Sequence, residues 1–407
     1  MAFTSRVNTP TRNWMMLPTG WDSAWKTART AASSTPAYVA VIGDSNAQGY
    51  STTDAPNKAF PVLLRNKLVA KYGLYGDYYS SSMSTRFMTS TGATAVPGTM
   101  PWTFDTTWNT TAAAMNNGFG FTMYQDGTTY PAAWVNAGSG SFLTPYACTA
   151  FDIIYHDSVA GTWQYNIDNA AGGGLVTNTN GAWNSMRRIA VTGQTNATHT
   201  VRVGASSVQY ACGINGIVTY DPTNNKTKGI GFANVSGIAQ AAELWMASPN
   251  GWPADRIQQW QGRSKTAAAT EQLTGFGFPT QPHLAIVELG INDCQANYGV
   301  IQFRSALRRF VDALRRGRDG CSVLFVICPN PDNATTDTTV EYTRAESWSM
   351  YADQIYGVAA EMNCAVFNIH ADWLPTSVTQ GFTAANDPHP TDTGHQAIAD
   401  ALSPLIV

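Results

Sequence analysis

The chain has 407 residues, of which 44% are hydrophobic and 13% are charged, and its formal net charge is -3 at pH 7. This composition excludes a disordered protein, a small disulfide-stapled scaffold and a collagen-like fibre. Lysine and arginine form no long run, so we expect no nucleic-acid partner, because phosphate binding needs clustered cations. The low charge, the 35 glycines and the 13 tryptophans suit a surface that meets polyhydroxylated ligands.

The sequence carries no obvious membrane or export segment. No stretch reaches the roughly 20 consecutive apolar residues that cross a bilayer, and residues 1–25 lack a basic start followed by an apolar run. We therefore expect neither a membrane span nor a Sec-type signal. The six cysteines have no C-x-x-C or zinc spacing, so buried free thiols are favoured. A disulfide between Cys148 and Cys212 is the alternative if the protein works in an oxidising compartment.

The first predicted elements follow a polar N-terminal arm, residues 1–36, that is rich in Thr, Ser and Trp. Residues 37–42 (AYVAVI) are a short apolar run typical of a buried parallel strand, and they end at the tripeptide GDS, residues 43–45. Residues 57–72 place apolar side chains at helical spacing. The opening of the chain therefore predicts a strand, a loop and a helix.

The middle of the chain, residues 85–228, loses the helical period. It carries short β-prone segments separated by turn signals such as Asn-Gly. Short strands at regular spacing favour an antiparallel sandwich, so we predict an inserted all-β domain over this range. The predicted strands lie at 151–157, 162–168, 187–193, 199–205 and 213–221.

The alternation of strands and helices resumes at residue 229. Such alternation indicates a parallel sheet with helices on both faces, and its chemistry lies in loops beyond the carboxyl ends of the strands. Together, residues 37–84 and 229–407 are predicted to form this α/β domain. The expected strands lie at 229–237 (with its loop), 284–290, 321–329 and 364–369, and the expected helices at 239–246, 301–317, 343–362 and 393–405.

Two side chains far apart in the sequence form a candidate catalytic pair. Ser45 follows the first strand directly, where its hydroxyl would face the sheet edge, and His389 lies in the polar loop before the last helix. A serine hydroxyl is a poor nucleophile until a base takes its proton. Each residue alone is better explained as an ordinary turn or helix-entry residue, but the pair predicts a nucleophile and its base.

Two loops at other strand ends offer hydrogen-bond donors for a developing negative charge. Gly237 in the segment NVSG can present its backbone N–H at close range, since it has no side chain, and Asn292 in the segment GIND carries an amide. The alternatives are a plain loop glycine and a turn-capping asparagine. Asp44 and Asp293, which adjoin these residues, are interpreted as loop scaffolding.

These four blocks resemble, in order, those of the SGNH (GDSL-type) hydrolases. The resemblance covers about residues 37–84 and 229–407 and leaves out the β-rich middle. It implies a flavodoxin-like three-layer α/β/α fold with ester hydrolysis as the usual activity, and no metal or organic cofactor. The matching blocks are GDS at 43–45, NVSG at 234–237, GIND at 290–293 and HP at 389–390.

The resemblance also implies roles for individual residues. Ser45 would be the nucleophile and His389 the general base. The donors of the oxyanion hole would be the backbone N–H groups of Ser45 and Gly237 and the side-chain amide of Asn292.

The third member of the triad departs from the family pattern. The family usually places its acid three residues before the histidine, where this chain has Asn386, whereas Asp387 stands two before. We favour Asp387, because a carboxylate fixes the tautomer and stabilises the imidazolium; Asn386 or a backbone carbonyl is the alternative. Asp392 and His395 have similar spacing, but His395 opens the final helix, where capping by the preceding loop is favoured.

The predicted function is a serine esterase that removes an acyl group, with acetyl favoured, from a polysaccharide or cell-envelope glycan. The insert resembles the carbohydrate-binding-type β-sandwiches of some SGNH esterases. Its tryptophans would either stack on sugar rings or pack the sandwich core, and both alternatives stay open. The tryptophans concerned are Trp102, Trp108, Trp134 and Trp163.

The composition and the lack of a visible export signal suit an extracellular or virion-associated enzyme, such as a phage tail protein attached to a larger particle, and a cytoplasmic location stays open. One alternative is a non-catalytic glycan-binding or structural virion protein on the same scaffold, with a triad degenerate at Asn386. Another is a lipase for long acyl chains, which predicts a wide apolar cleft.

Overall fold

The fold is known from a computed structural model. Four sequence predictions lie outside the residues that it describes: Asn386, Trp108, Trp134 and most of the helix expected at 239–246. The described residues are 15–80, 86–89, 92–95, 102–103, 123–125, 140–156, 161–168, 174–178, 186–205, 212–224, 226–237, 241–242, 276–295, 298–316, 320–328, 340–369, 381–383, 387 and 389–407.

Strands and helices alternate in the first and last parts of the described chain, and strands dominate between them. The strands are β1 (Met15–Met16), β2 (Ala37–Gly43), β3 (Leu74–Ser80), β4 (Arg86–Thr89), β5 (Gly92–Ala95), β6 (Trp102–Thr103), β7 (Met123–Gln125), β8 (Gly140–Leu143), β9 (Phe151–His156), β10 (Gly161–Ile167), β11 (Gly174–Asn178), β12 (Met186–Val191), β13 (Thr200–Ala205), β14 (Cys212–Tyr220), β15 (Ile230–Asn234), β16 (Leu284–Glu288), β17 (Ser322–Ile327) and β18 (Ala365–Asn368). The helices are α1 (Ser23–Thr30), α2 (Ser45–Gln48), α3 (Ala55–Lys58), α4 (Phe60–Tyr72), α5 (Ile291–Gln295), α6 (Val300–Arg316), α7 (Val340–Glu361) and α8 (Asp392–Ile406).

A parallel sheet forms the centre of the fold. Six strands pair in parallel in the spatial order β3-β15-β2-β16-β17-β18. Without β3, which lies outside β15, the five remaining strands are second, first, third, fourth and fifth in chain order. This is the flavodoxin-like order, and its topological switch point lies between β2 and β16, where a ligand crevice is expected. Ser45 follows β2 and Asn292 follows β16, so both lie at this point.

The two faces of the sheet are covered by different helices. Val39 and Val41 of β2 pack in the core with residues of α1, α4 and α8, whereas Ala40 and Ile42 pack in the core with residues of α6 and α7. Successive side chains of a strand point to opposite faces, which explains this alternation. The predicted three-layer α/β/α architecture is confirmed.

The helix expected over residues 57–72 is divided into α3 and α4. Ala59 between them has an extended conformation, with φ -60° and ψ 140°. Pro61 has no N–H to bond the carbonyl four residues earlier, so it fits the first turn of a new helix better than the middle of a continuing one. The helical period in the sequence predicted the apolar face but not this break.

The β-rich middle region is built of antiparallel strands, and most of its described strands lie in two sheets. Strands β14, β9 and β12 continue the large sheet beyond β3, and a second sheet has the order β11-β10-β13-β8-β6. Trp102 and Trp163 are fully buried in a core that draws on both sheets, so these two rings do not face solvent. A separate carbohydrate-binding-like sandwich over residues 85–228 stays a prediction.

The described part of the N-terminal arm packs on the parallel sheet. Met15 of β1 pairs antiparallel with Phe367 of β18. Trp25 of α1 is fully buried, and its Nε1 donates to the carbonyl oxygen of Ile406 at 2.8 Å. Cys148 is a buried free thiol. Within the described residues, no helix combines the length and the apolar character that a bilayer span requires.

Candidate active site

The turn after β2 presents Ser45 at the sheet edge. Asp44 caps the short helix α2, because its side chain accepts a hydrogen bond from the backbone N–H of Asn46 at 2.9 Å. A Cβ at Gly43 would lie 2.5 Å from that of Ala47, so only glycine lets the strand turn this sharply into the helix. Ser45 is the first residue of α2 and is 7% exposed.

The structure brings Ser45 and His389 together across 344 positions of sequence. Ser45 Oγ lies 2.8 Å from His389 Nε2, and His389 Nδ1 lies 2.5 Å from Asp387 Oδ1. A carboxylate only accepts hydrogen bonds, so this arrangement places the imidazole proton on Nδ1 and leaves Nε2 to accept from the serine. Of the two sequence candidates for the third residue, Asp387 contacts the ring, and Asn386 lies outside the described residues.

The Asp387 carboxylate is held by more than the imidazole ring. Its Oδ1 also accepts from the backbone N–H of His389 at 2.9 Å, and its Oδ2 accepts from Ser51 Oγ at 2.9 Å. Partial burial raises the pKa of Asp387, but these hydrogen bonds outweigh it and hold the pKa below its ordinary value. The Tyr50 ring packs against the His389 ring, with 4.8 Å between the ring centroids.

The predicted oxyanion donors lie beside the same strand end, but two of them are engaged. Asn292 Nδ2 lies 3.2 Å from Asp44 Oδ2, to which it donates. The backbone N–H of Gly237 donates to the carbonyl oxygen of Gly43 at 3.1 Å. An oxyanion would have to compete with Gly43 for the single N–H of Gly237, whereas the Asn292 amide carries two N–H donors. The oxyanion-hole roles of Ser45, Gly237 and Asn292 stay predictions.

A buried carboxyl pair beneath the nucleophile was missed by the sequence analysis. Glu288, the last residue of β16, accepts from the backbone N–H of Asp44 at 3.2 Å and from Asn46 Nδ2 at 3.4 Å. Burial raises the pKa of Asp44 well above its ordinary value, and the Glu288 charge adds to this effect. Burial likewise raises the pKa of Glu288. The sequence feature that could have revealed this pair is a glutamate at the end of an otherwise apolar strand.

The second Asp–His spacing near the C-terminus does not form a catalytic pair. Asp392 accepts from Thr53 and from Lys58 Nζ, the latter at 2.6 Å. These bonds outweigh the effect of burial and lower the pKa of Asp392 to about 2. His395 is buried, accepts from the Phe60 N–H at 3.1 Å, and has a pKa lowered by burial to about 3. As expected, the preceding loop caps the helix, through Thr391.

Two further histidines have structural contacts. His199 Nδ1 lies 2.6 Å from Asp168 Oδ2, and His283 Nδ1 accepts from the Tyr38 N–H at 2.9 Å. Among the residues that the structure describes, no group of three His, Cys, Asp or Glu side chains is placed to hold a metal ion.

Residues 229–397 match a family model described as the GDSL-like Lipase/Acylhydrolase family. This part of the chain is a GDSL-like lipase/acylhydrolase domain. It includes Gly237, Asn292, Asp387 and His389, while Ser45 precedes it and joins it through the sheet. The family match and the shared fold support a carboxylic ester hydrolase.

The structure is similar to a solved structure named "Peptidoglycan O-acetylesterase in action, 5 min", with a TM-score of 0.61 and 14% identity over 97% of this chain and 99% of that one. At this identity the likeness shows the fold alone. A family two carbohydrate esterase from Clostridium thermocellum in complex with cellohexaose covers 75% of this chain and 98% of its own, at 12% identity. The TM-score of this second comparison is 0.29. No curated protein matches the chain.

Proposed function

We propose that the GDSL-like enzyme is a serine esterase that removes acetyl groups from a cell-envelope glycan or another polysaccharide. The observation that carries this proposal is the continuous chain of hydrogen bonds from Ser45 Oγ through His389 to Asp387. The shared fold with a protein named as a peptidoglycan O-acetylesterase supports an acetyl ester on a glycan. Such a substrate implies a site of action outside the cytoplasm.

In the proposed mechanism, His389 takes the proton from Ser45 Oγ as this oxygen attacks the ester carbonyl carbon. The imidazolium is stabilised by Asp387 and then gives its proton to the departing sugar oxygen. A water molecule, activated by the same histidine, attacks the acetyl-serine and releases acetate. The original serine proton leaves on the sugar hydroxyl, and the proton that His389 takes from water passes to Ser45 Oγ as acetate departs. The triad is thus restored, and water is the co-reactant.

The oxyanion of the tetrahedral intermediate needs donors near Ser45. In the proposal these are the backbone N–H of Ser45, the backbone N–H of Gly237 and the Asn292 amide. The Asn292 amide also donates to Asp44, and Gly237 must release the carbonyl of Gly43 before it can contribute. Removal of one such donor commonly lowers turnover by about 10²–10³.

The decisive experiment measures acetate release from p-nitrophenyl acetate and from O-acetylated peptidoglycan and xylan by the parent protein and by Ser45→Ala. We expect release by the parent and none above background by the variant. Equal inertness of both proteins would refute the esterase and leave the non-catalytic glycan-binding protein on the same scaffold. A chain-length series from acetate to palmitate, with faster turnover of palmitate, would instead indicate a lipase.

Attachment to a larger particle, such as a virion tail, is the finer part of the proposal and is supported by composition alone. Few charges combine with many Asn, Thr, Gly and Trp residues. Size fractionation of a lysate that contains the protein tests it: we expect co-migration with particles, and recovery only as free protein would refute it.

A further inference from the structure

A cavity of about 420 Å³ lies beside the parallel sheet and contains none of the catalytic candidates. It is bounded by α3 and α4 on one side, by β3 and β15 at its floor, and by the segment that follows β8 on the other side. The cavity thus lies where the parallel sheet meets the antiparallel region. Its volume falls within the range of small-molecule sites, which is about 300–1,000 Å³.

The described wall of the cavity is electrically neutral. Among the described residues that line it, the charged ones are Arg65 and Asp77, and they form an ion pair with each other. Arg65 Nε lies 3.1 Å from both carboxylate oxygens of Asp77, and Nη2 lies 2.5 Å from Oδ2. Because each charge is neutralised by the other, the wall favours an uncharged ligand over a phosphate or a carboxylate.

The other polar groups of the wall suit hydroxyl groups. Asn57 and Asn66 stand exposed at the mouth; Asn57 Nδ2 donates to Asp54, and Asn66 Oδ1 accepts from Arg65 Nη1. At the mouth, the side-chain oxygen of Asn57 on α3 can therefore accept a hydrogen bond, and the side-chain nitrogen of Asn66 on α4 can donate one. Hydroxyl groups of a ligand can donate to the first and accept from the second.

The floor and the side wall add an unsatisfied donor and aromatic surface. Asn234 is 4% exposed, and its Nδ2 has no hydrogen-bond partner within the described part of the chain, whereas its Oδ1 accepts from Ser236 N–H. The Asn234 amide therefore keeps a donor that a hydroxyl oxygen of a ligand in the cavity can accept from. Tyr79 and Tyr146 are half-buried and offer amphipathic rings, a surface on which sugars pack.

The cavity and the catalytic loop share one segment of chain. Ser51, which binds Asp387, precedes α3 by only a few residues, and Asn57 of the cavity mouth lies on α3. A Cβ on Gly49, the residue after α2, would lie 2.7 Å from the Cβ of Ala59, the residue before α4. The end of α2, the helix that begins with Ser45, is therefore in close contact with the start of α4. A polymer that enters the cavity therefore contacts α3, the helix that follows the loop with Ser51.

We propose that this cavity is a subsite for one neutral sugar ring of the glycan whose acetyl ester is presented to Ser45. The inference rests on the proposed function and adds to it a place where the polymer is held. It predicts that cavity variants weaken the use of polymeric substrates and leave the hydrolysis of a small ester unchanged.

The test compares Asn66→Trp, which blocks the mouth, with Ala70→Trp, which adds the same side chain at an exposed position of α4 that does not line the cavity. For Asn66→Trp we expect unchanged kcat/KM on p-nitrophenyl acetate and a KM for acetylated xylan or peptidoglycan raised about tenfold, which corresponds to about 1.4 kcal/mol. Ala70→Trp should match the parent on both substrates. Unchanged KM for both polymers in Asn66→Trp, or an equal loss on the small ester, would overturn the proposal.

A binding measurement separates the cavity from catalysis. In calorimetric titrations of Ser45→Ala with xylotetraose and with chitotetraose, we expect one of the two probes to bind and the added Asn66→Trp substitution to abolish that binding. Leu143→Ser, a change on the opposite rim, supplies a second variant if Asn66→Trp does not fold, and it should weaken binding. Binding of neither probe, or binding unaffected by these changes, would refute the subsite. Failure of the parent to hydrolyse any ester would refute the esterase instead.

Discussion

At the scale of single residues, the position of Asp387 is explained by local hydrogen bonding. A carboxylate two residues before a histidine reaches the imidazole ring when the backbone turns tightly between them. Here Asp387 Oδ1 accepts from the backbone N–H of His389 as well as from the ring, as in an Asx-turn. Asp387 stands two residues before His389, whereas the family usually has its acid three residues before. The turn lets this nearer aspartate reach the ring, and Ser51 binds its other carboxylate oxygen.

The role of Asp387 is tested by Asp387→Asn. The amide can present a donor to Nδ1 and so favour the wrong imidazole tautomer, and we expect kcat to fall by roughly 10²–10⁴ without loss of the fold. Turnover of p-nitrophenyl acetate and circular dichroism are the measurements. Ser51→Ala, which removes only the outer contact, should cause a smaller loss. Full activity of Asp387→Asn would assign the orienting role to Asn386 or a backbone carbonyl.

The Asp44–Glu288 pair predicts a dependence of stability on pH. Both carboxyls have raised pKa values, so above the ordinary carboxyl pKa of about 4 the folded state binds more protons than the unfolded state. The free energy of unfolding therefore falls as pH rises through this window. Glu288→Gln removes one such carboxyl, and we expect its unfolding free energy to fall less steeply with pH in urea titrations. Asp312→Asn, at an exposed position of α6, is the control, and a slope equal to the parent's in Glu288→Gln would contradict the prediction.

At the scale of elements, the contact between α8 and α4 depends on an uncharged histidine. His395 of α8 accepts from the N–H of Phe60 at the start of α4, and the two rings stack with centroids 6.0 Å apart. A proton on Nδ1 would remove this bond and place a charge in the core. The sequence spacing suggested a second acid–histidine pair, whereas burial gives His395 a structural role.

His395 therefore contributes to instability in acid. Its pKa is about 3 in the folded state and about 6.5 when unfolded, so between these values the unfolded state binds more protons. The free energy of unfolding should fall by up to about 1.4 kcal/mol per unit as pH decreases through this window. His395→Gln keeps an acceptor and should flatten the dependence, as measured by thermal unfolding from pH 7 to pH 4. Ala401→Ser, at another exposed position of α8, should leave it unchanged; a steep dependence retained by His395→Gln would refute this origin.

At the scale of the whole molecule, the two ends of the described chain are joined. Trp25 of α1 donates from its indole to the carbonyl of Ile406 near the end of α8, and its own N–H donates to Ser322 Oγ at the start of β17. These contacts link the N-terminal arm, the sheet and the last helix on one face. They lie away from the carboxyl ends of the strands, where the candidate active site is found.

Because Trp25 lies away from the candidate active site, its truncation tests the stability of the fold separately from catalysis. Truncation of a buried tryptophan leaves a large cavity, so Trp25→Ala should lower the free energy of unfolding by about 3–5 kcal/mol. The values of kcat and KM for the folded protein should not change. Urea unfolding and initial rates at low temperature are the measurements, and a selective loss of kcat with unchanged stability would show that the arm acts on the site.

The sequence by itself determined the α/β layers and the identity of the nucleophile and base candidates. Runs such as residues 37–42 and 284–288 must be buried, and parallel strands place the residues that follow them at one edge of the sheet. The tertiary structure alone decided that Asp387 contacts His389, that Glu288 pairs with Asp44, and that a neutral cavity lies beside α4. Hydrogen bonding and burial depend on distances between segments remote in sequence, and no spacing along one segment contains those distances.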